Sequence, residues 1–145
     1  MIIQQISAFL ENRAGQLQEI MAVLAGENIN IHALNIAETA DYGVVRIIVE
    51  DTEKAAALLQ EQGILVNVAP VVAAAVPNVP GGLLKMLTVL QQADVDISYL
   101  YSVFGHGKGT AHMIFRVADP ERAEEILKQG GIETDVIRKE PSGKE

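Results

Sequence analysis

Hydrophobic and polar residues alternate at the start of the chain, and the period then changes. Ile2 to Phe9 alternates and is rich in β-branched residues, which predicts a β-strand. From Leu17 to Leu24 the apolar residues recur at i, i+3, i+4 and i+7. That spacing predicts an amphipathic helix over Gln16 to Ala25.

The next segments complete one structural unit. Asn28 to Ala37 and Gly43 to Glu50 are predicted to be strands that are joined by a polar turn. Asp51 is a suitable cap for the helix that follows, and Gly63 is predicted to end it. Ile64 to Val68 is then a fourth strand. The order is therefore strand-helix-strand-strand-helix-strand.

The same pattern occurs twice in the chain. A shift of 66 positions superimposes identical residues along most of each half: Asn12 on Asn78, Gly15 on Gly81, Leu17 on Leu83, Ile31 on Ile97 and Leu34 on Leu100. Farther along, the shift becomes 68, which places Asp51 on Asp119 and Gly63 on Gly131. An internal repeat of this kind indicates two copies of one module.

The second copy predicts the same elements in the same order. They are strands at Val71 to Val76, Val95 to Phe104, Gly109 to Val117 and Ile132 to Ile137, with helices through Leu83 to Leu90 and after the Asp119-Pro120 cap. We predict an α+β fold of two ferredoxin-like βαββαβ modules with antiparallel sheets, paired in one chain. The first module covers residues 1–69, the second covers 70–138, and 139–145 form a flexible tail.

Composition narrows the function classes. Hydrophobic residues make up 49% of the chain and charged residues 21%, which is enough apolar material for a packed core. The net charge of −8 opposes binding to nucleic acids and to anionic membranes. The absence of cysteine excludes disulfides and thiolate metal sites, and three scattered histidines do not suggest another metal site. Without an apolar run of transmembrane length or a signal peptide pattern, we expect a cytoplasmic protein that needs no cofactor or metal.

The turn between the first strand and the first helix is the strongest candidate for binding. It has the pattern Asn-x-(Ala/Pro)-Gly-x-Leu in both copies, at 12–17 and at 78–83. Glycine allows the backbone to approach a bound group, and the N–H groups of a helix N-terminus suit a carboxylate. The Asn side chain can bind an ammonium group, so a small zwitterion would fit. The alternative interpretation is that Asn caps the helix and Gly only makes the turn.

A polar residue stands at the start of each second strand. Asn30 lies 15 residues after Gly15, and Asp96 lies 15 residues after Gly81. Either residue could face a neighbouring module, or it could be a solvated strand start.

These residues resemble the ACT domain, a small amino-acid-binding regulatory module, and the chain is similar to tandem proteins made of two such domains. The resemblance covers about residues 1–138 and is most specific at 12–17, 28–31, 78–83 and 94–97. It implies that the ligand lies at an interface between two ACT modules. The implied ligand-binding residues are Asn12, Ala14, Gly15, Leu17 and Asn30 in the first copy, and Asn78, Pro80, Gly81, Leu83 and Asp96 in the second.

Two departures from the family pattern affect the ligand. Leu10 stands where serine-binding members have histidine, which argues against serine. Asp96 replaces the Asn of the first copy, so the two sites should not be equivalent.

The resemblance implies a non-catalytic sensor that binds a small amino acid, forms a homodimer and regulates a partner enzyme of amino-acid metabolism. The alternative is a structural protein-protein interaction module without a small-molecule ligand. RNA-recognition modules share the βαββαβ order, but aromatic residues make up only 4% of this chain. The glycine-rich segment 105–110 lacks the spacing of a phosphate-binding loop and lies between two strands, so we expect a hairpin there.

Overall fold

The computed structural model describes residues 1–11, 13–38, 42–103 and 109–135. These residues form six strands and four helices. The strands are β1 (Ile2–Glu11), β2 (Ile31–Glu38), β3 (Tyr42–Val49), β4 (Val66–Pro77), β5 (Tyr99–Val103) and β6 (Thr110–Arg116), and the helices are α1 (Gln16–Gly26), α2 (Thr52–Glu61), α3 (Gly82–Gln92) and α4 (Pro120–Gln129). The mixed fold of antiparallel strands and helices that we predicted is confirmed.

The chain is divided into two compact units. One consists of Gln4–Ala69, and the other consists of Met1–Ile3 together with the chain from Pro70 onward. The first three residues therefore belong with the second unit. There the backbone N–H of Ala73 donates to the carbonyl oxygen of Met1 at 2.8 Å.

The unit Gln4–Ala69 has the strand order β2-β3-β1, and both pairings are antiparallel. Its core is built from one face of this sheet and from the inner faces of α1 and α2. Ile6, Ile20, Leu24, Ile47 and Leu59 are fully buried in it. The helical spacing read from the sequence thus identified the buried face of α1.

The second unit has the strand order β4-β6-β5, again with antiparallel pairing. α3 and α4 cover one face, and the core contains Val72, Met86, Phe115 and Leu127. Both α2 and α4 begin at the predicted acidic caps. The carboxylate of Asp51 accepts a hydrogen bond from a backbone N–H of α2 at 3.2 Å, and the carboxylate of Asp119 does the same for α4 at 3.1 Å.

The repeat is also present in the backbone geometry. Left-handed residues occur at equivalent positions of the two copies: Gly15 and Gly81 (φ 88° and 86°), Asn28 and Asp94 (56° and 59°), and Gly63 and Gly131 (77° and 76°). Asn and Asp tolerate this conformation better than other residues with a Cβ. Both modules therefore turn their chain at the same places.

Several predicted strand boundaries were wrong. β2 and β5 begin three and four residues after the predicted starts at Asn28 and Val95, because left-handed turns follow α1 and α3. β1 continues to Glu11, and β4 begins at Val66, two residues after the predicted start at Ile64. The predicted strand from Ile132 is, within the described residues, one isolated bridge between Glu133 and Ala75. The predicted tail at 139–145 lies outside the described residues.

Candidate functional site

The turn between β1 and α1 places a left-handed glycine at the helix N-terminus. Gly15 is the N-cap residue of α1, with φ 88°, and no side chain among the described residues forms a hydrogen bond with this cap. The first intrahelical bond runs from the N–H of Glu19 to the carbonyl oxygen of Gly15 at 3.0 Å. Asn12, the predicted polar residue of this turn, lies outside the described residues. The N–H groups in the first turn of a helix have no intrahelical partners, so this end can receive an anionic group.

A cleft of about 250 Å³ opens beside this turn. Its walls come from four parts of the first unit: the end of β1, the end of β2, the start of β3 and the N-terminus of α1. The lining residues are Leu10, Glu11, Arg13, Gly15, Gln16, Leu17, Ile36, Ala37, Tyr42 and Gly43. The sheet register brings the strands together, since Leu10 is paired with Gly43.

The rim of the cleft carries a pair of opposite charges. Both terminal nitrogens of Arg13 donate to the carboxylate of Glu19, at 3.0 and 2.8 Å, and Nε of Arg13 lies 3.5 Å from Glu11 Oε2. The hydrogen bond from Arg13 lowers the pKa of Glu19, and the same contact raises the pKa of Arg13. These side chains are exposed, so the pair positions Arg13 more than it stabilises the fold.

The inner wall contains a buried amide. Gln16 is the first residue of α1, and the residue is only 8% exposed. Its Oε1 atom is buried and has no hydrogen-bond partner among the described residues. Beside it, Leu10 and Leu17 are half-buried and pack against the core. The cleft therefore combines an apolar floor with one unsatisfied hydrogen-bond acceptor.

The structure separates the predicted residues of the first copy into two groups. Gly15 and Leu17 line the cleft, whereas Ala14 is exposed in the turn beside it. Asn30 is exposed at the other end of α1, immediately before β2, and does not line this cleft. A helix of this length spans about 16 Å, so Asn30 and Gly15 of one unit cannot contact the same small molecule.

The equivalent turn of the second copy is built differently. Asn78, Pro80 and Gly81 are exposed, and Leu83 is half-buried against the core. Gly81 is the N-cap residue of α3 without a side-chain cap, so the interpretation that Asn78 caps this helix is wrong. The N–H of Asn78 instead donates to the carbonyl oxygen of Gly109 at 2.8 Å.

Gly82 occupies the position that corresponds to Gln16. A Cβ atom on Gly82 would collide with the carbonyl oxygen of Pro77 and would lie 3.1 Å from its carbonyl carbon. The backbone therefore fills the space that a side chain would need in the second copy. The expectation that the two sites differ rested on Asp96, and this close approach gives a further difference.

Asp96 lies in a separate depression at the C-terminal end of α3. That depression has a volume of about 300 Å³, and it is lined by Leu87, Leu90, Gln91, Asp94, Val95, Asp96 and Ile97. None of the other predicted residues of the second copy lines it. As in the first unit, the turn and the strand start lie at opposite ends of a helix.

The described residues contain no cluster of His, Asp and Glu side chains that could hold a metal ion. No helix among them combines the length and apolar character needed to span a bilayer.

A family model described as an ACT domain pair matches residues 1–138. The chain belongs to the ACT domain pair family. This result confirms the resemblance that was read from the two Asn-x-(Ala/Pro)-Gly-x-Leu turns. No curated protein matches the chain.

Solved structures agree with the family. A protein of Bacteroides thetaiotaomicron is 41% identical, with a TM-score of 0.85 over 92% of this ACT domain pair and 91% of that chain. The ligand-free regulatory subunit of aspartate kinase from Thermus thermophilus is 15% identical, with a TM-score of 0.65 over 88% and 91% of the two chains. The corresponding subunit from Thermus flavus is 13% identical, with a TM-score of 0.63 over 90% and 95%. At these lower identities the two subunits show a shared fold.

Sequence reasoning missed part of the cleft. It singled out Gly15 and Leu17 but not Gln16 or Tyr42, which line the same space. Comparison of the two copies could have indicated Gln16, because the repeat aligns it with Gly82. A polar residue in one copy thus corresponds to a glycine in the other, beside a turn that has the same backbone geometry in both. Tyr42 has no such indication in the sequence, because its place depends on how β1 pairs with β3.

Proposed function

We propose that this ACT domain pair is a non-catalytic regulatory protein. It would bind a small amino acid and, in response to the concentration of that amino acid, regulate a partner enzyme of amino-acid metabolism. The amino acid would lie at an interface between two ACT modules. The cleft beside the β1–α1 turn is the observation that carries this proposal. It contains a helix N-terminus that no described side chain caps, a left-handed glycine and an apolar floor within one small space.

The size and chemistry of the cleft favour a small zwitterion. Its volume of about 250 Å³ lies below the range that is usual for drug-sized ligands. The N-terminus of α1 can receive a carboxylate, while Leu10, Leu17 and Ile36 offer an apolar surface to a side chain. An amino acid with an apolar or small side chain satisfies both parts.

The regulatory role is supported by the family and by the names of the structural neighbours. Two of them are regulatory subunits of aspartate kinase, and they share the fold of this chain. Regulation would then be a shift of population between two arrangements of the modules. Its size would be limited by how differently the amino acid binds the two arrangements.

The remaining expectations belong to the same proposal. We infer a cytoplasmic homodimer whose modules cover 1–69 and 70–138, with a flexible tail at 139–145. Two apolar side chains of β2, Leu34 and Ile36, are 43% and 46% exposed. β2 is also the outer strand of its unit, and an outer strand with exposed apolar residues is a suitable place for a second copy to pair.

The residues proposed for binding are those of the two turns and the two strand starts. In the first copy they are Asn12, Ala14, Gly15, Leu17 and Asn30, and in the second they are Asn78, Pro80, Gly81, Leu83 and Asp96. Because the turn and the strand start of one unit lie at opposite helix ends, each complete site would need residues from two modules.

A thermal-shift screen against the twenty amino acids tests the proposal. An amino acid at about 100 times its dissociation constant should add about 2.7 kcal/mol to the unfolding free energy, which raises Tm by several degrees. If none of them shifts Tm, the alternative of an interaction module without a ligand is favoured.

Two sets of variants locate the site. Gly43→Val should fill part of the cleft and abolish the shift in Tm, because Gly43 lines the cleft. The fold should tolerate the new side chain, because a Cβ at Gly43 would make only ordinary contacts, at 3.6 Å from Leu10 and 3.7 Å from the carbonyl oxygen of Ala37. Unchanged affinity in Gly43→Val would exclude the cleft. Unchanged affinity in both Asn12→Ala and Asn78→Ala would show that these two side chains are not part of any site.

A further inference from the structure

The amide of Gln16 is unusual because it is buried and lacks a partner for its oxygen. The residue is 8% exposed, and Oε1 accepts no hydrogen bond from any described group. Buried side-chain oxygens in folded proteins almost always have a partner, because burial without one removes the water that would otherwise bind them. Gln16 lines the open cleft, so a molecule bound there can supply the hydrogen bond that the other described residues do not.

The neighbouring groups decide what kind of partner fits. An amide oxygen accepts hydrogen bonds, so the partner must carry an N–H or O–H group. The cationic side chain of the cleft, Arg13, already donates to both oxygens of Glu19 and lies near Glu11. Gln16 is also the first residue of α1, so its amide lies next to N–H groups that favour a carboxylate.

We propose that Gln16 determines specificity for an amino group: its Oε1 accepts a hydrogen bond from the ammonium group of the amino acid bound in this cleft. The inference rests on the proposed amino-acid site and names the residue that selects the amine there. A carboxylic acid of the same shape without the amine would leave Oε1 unsatisfied and would bind more weakly.

The second module lacks this amide acceptor. Gly82 replaces Gln16, and the carbonyl oxygen of Pro77 occupies the space where a side chain would begin. Selection of the amine through this amide is therefore a property of the first module alone.

The test uses the full chain with Gln16→Met, which removes the amide but keeps a similar length. Gln18→Met is the matched control, because Gln18 lies in the same turn of α1 and is exposed. Gln16→Glu is the second variant, since a carboxylate keeps the acceptor, and the N–H groups of the helix N-terminus offset part of the cost of burying its charge. Calorimetry then measures binding of the amino acid that gives the largest shift in the screen, and of its analogue without the amino group.

Two results are expected. Gln16→Met should lower affinity for the amino acid by about 10- to 100-fold and leave the deaminated analogue unchanged, while Gln16→Glu and Gln18→Met keep the preference for the amine. Without any ligand, Gln16→Met should raise Tm by about 2–6 °C, because it removes a buried acceptor that has no partner.

Other outcomes overturn the proposal in distinguishable ways. If an amino acid binds but Gln16→Met retains the preference for the amine, Gln16 has no role in specificity, although the regulatory function stands. If Gln16→Glu abolishes binding, the amide acts through its nitrogen and the inference is wrong. If no amino acid binds wild-type protein, both the inference and the proposed function fail.

Discussion

The close approach of Gly82 to the end of β4 makes a quantitative prediction about stability. In Gly82→Ala the new Cβ would collide with the carbonyl oxygen of Pro77 and would lie tightly against its carbonyl carbon at 3.1 Å, while Cα at 3.7 Å is an ordinary contact. All three are backbone atoms, so no flexible side chain can move away. The last residue of β4 or the first turn of α3 must shift instead.

The expected cost follows from two opposing terms. Overpacking of this kind costs about 1–3 kcal/mol, and alanine gains up to about 1 kcal/mol over glycine in a helix. We expect Gly82→Ala to lower the free energy of unfolding by about 1–2 kcal/mol, or roughly 2–8 °C in Tm. Gly26→Ala is the control. It also lies in a helix, at the end of α1, and a Cβ there would have no atom within 4 Å, so it should be neutral or stabilising.

Urea denaturation followed by circular dichroism measures both variants. Equal m-values for wild type and Gly82→Ala would show that the same structure unfolds and that the difference in midpoint reports stability. A Gly82→Ala protein as stable as Gly26→Ala would refute the reasoning. The turn of the second copy would then have room for a side chain, and the proposed asymmetry between the modules would lose its basis.

Three further predictions concern stability. Asp51→Ala should lower the free energy of unfolding measured by urea denaturation by about 1 kcal/mol, because the carboxylate of Asp51 accepts a hydrogen bond from a backbone N–H of α2 at 3.2 Å. An unchanged free energy of unfolding would mean that this cap is not formed in solution. Leu24→Ala should lower the free energy of unfolding by about 2–5 kcal/mol, because Leu24 is fully buried. Leu84→Ala is the control and should cost almost nothing, because Leu84 is 66% exposed. Equal losses of stability in the two variants would contradict the assigned core. Arg13 lowers the pKa of Glu19, so their small stabilising effect is present above the unfolded pKa and is lost as pH falls through the folded pKa. Wild type and Glu19→Gln should therefore differ in Tm near neutral pH and converge in acid, and a difference that persists in acid would exclude this ion pair as its cause.

Periodicity and helix caps were the parts of the fold that sequence could predict. The buried face of α1, the acidic caps of α2 and α4, and the glycine turns all depend on residues within a few positions of one another. Such local relations can be recognised from the sequence alone, because they involve residues that are close together in the chain. The strand starts at Asn28 and Val95 were misplaced because an apolar stretch does not show where a left-handed turn interrupts it.

The candidate site could be predicted only in part for the same reason. The repeated turn pointed to Gly15 and Leu17, which line the cleft, but the pairing of β1 with β3 brought Tyr42 and Gly43 into it. Whether the amide of Gln16 has a partner depends on atoms from several elements, and no local pattern contains that information.

The sequence by itself therefore determined that the chain is a pair of ACT modules, since two copies of one local pattern with one set of turn residues recur along it. Tertiary structure decided how the two turns differ. In the first copy the side chain of Gln16 is buried beside a cleft, and its oxygen has no hydrogen-bond partner among the described residues. In the second copy the carbonyl oxygen of Pro77 occupies the equivalent space. Packing distances between residues from different elements produce this difference, and such distances follow only from the folded chain.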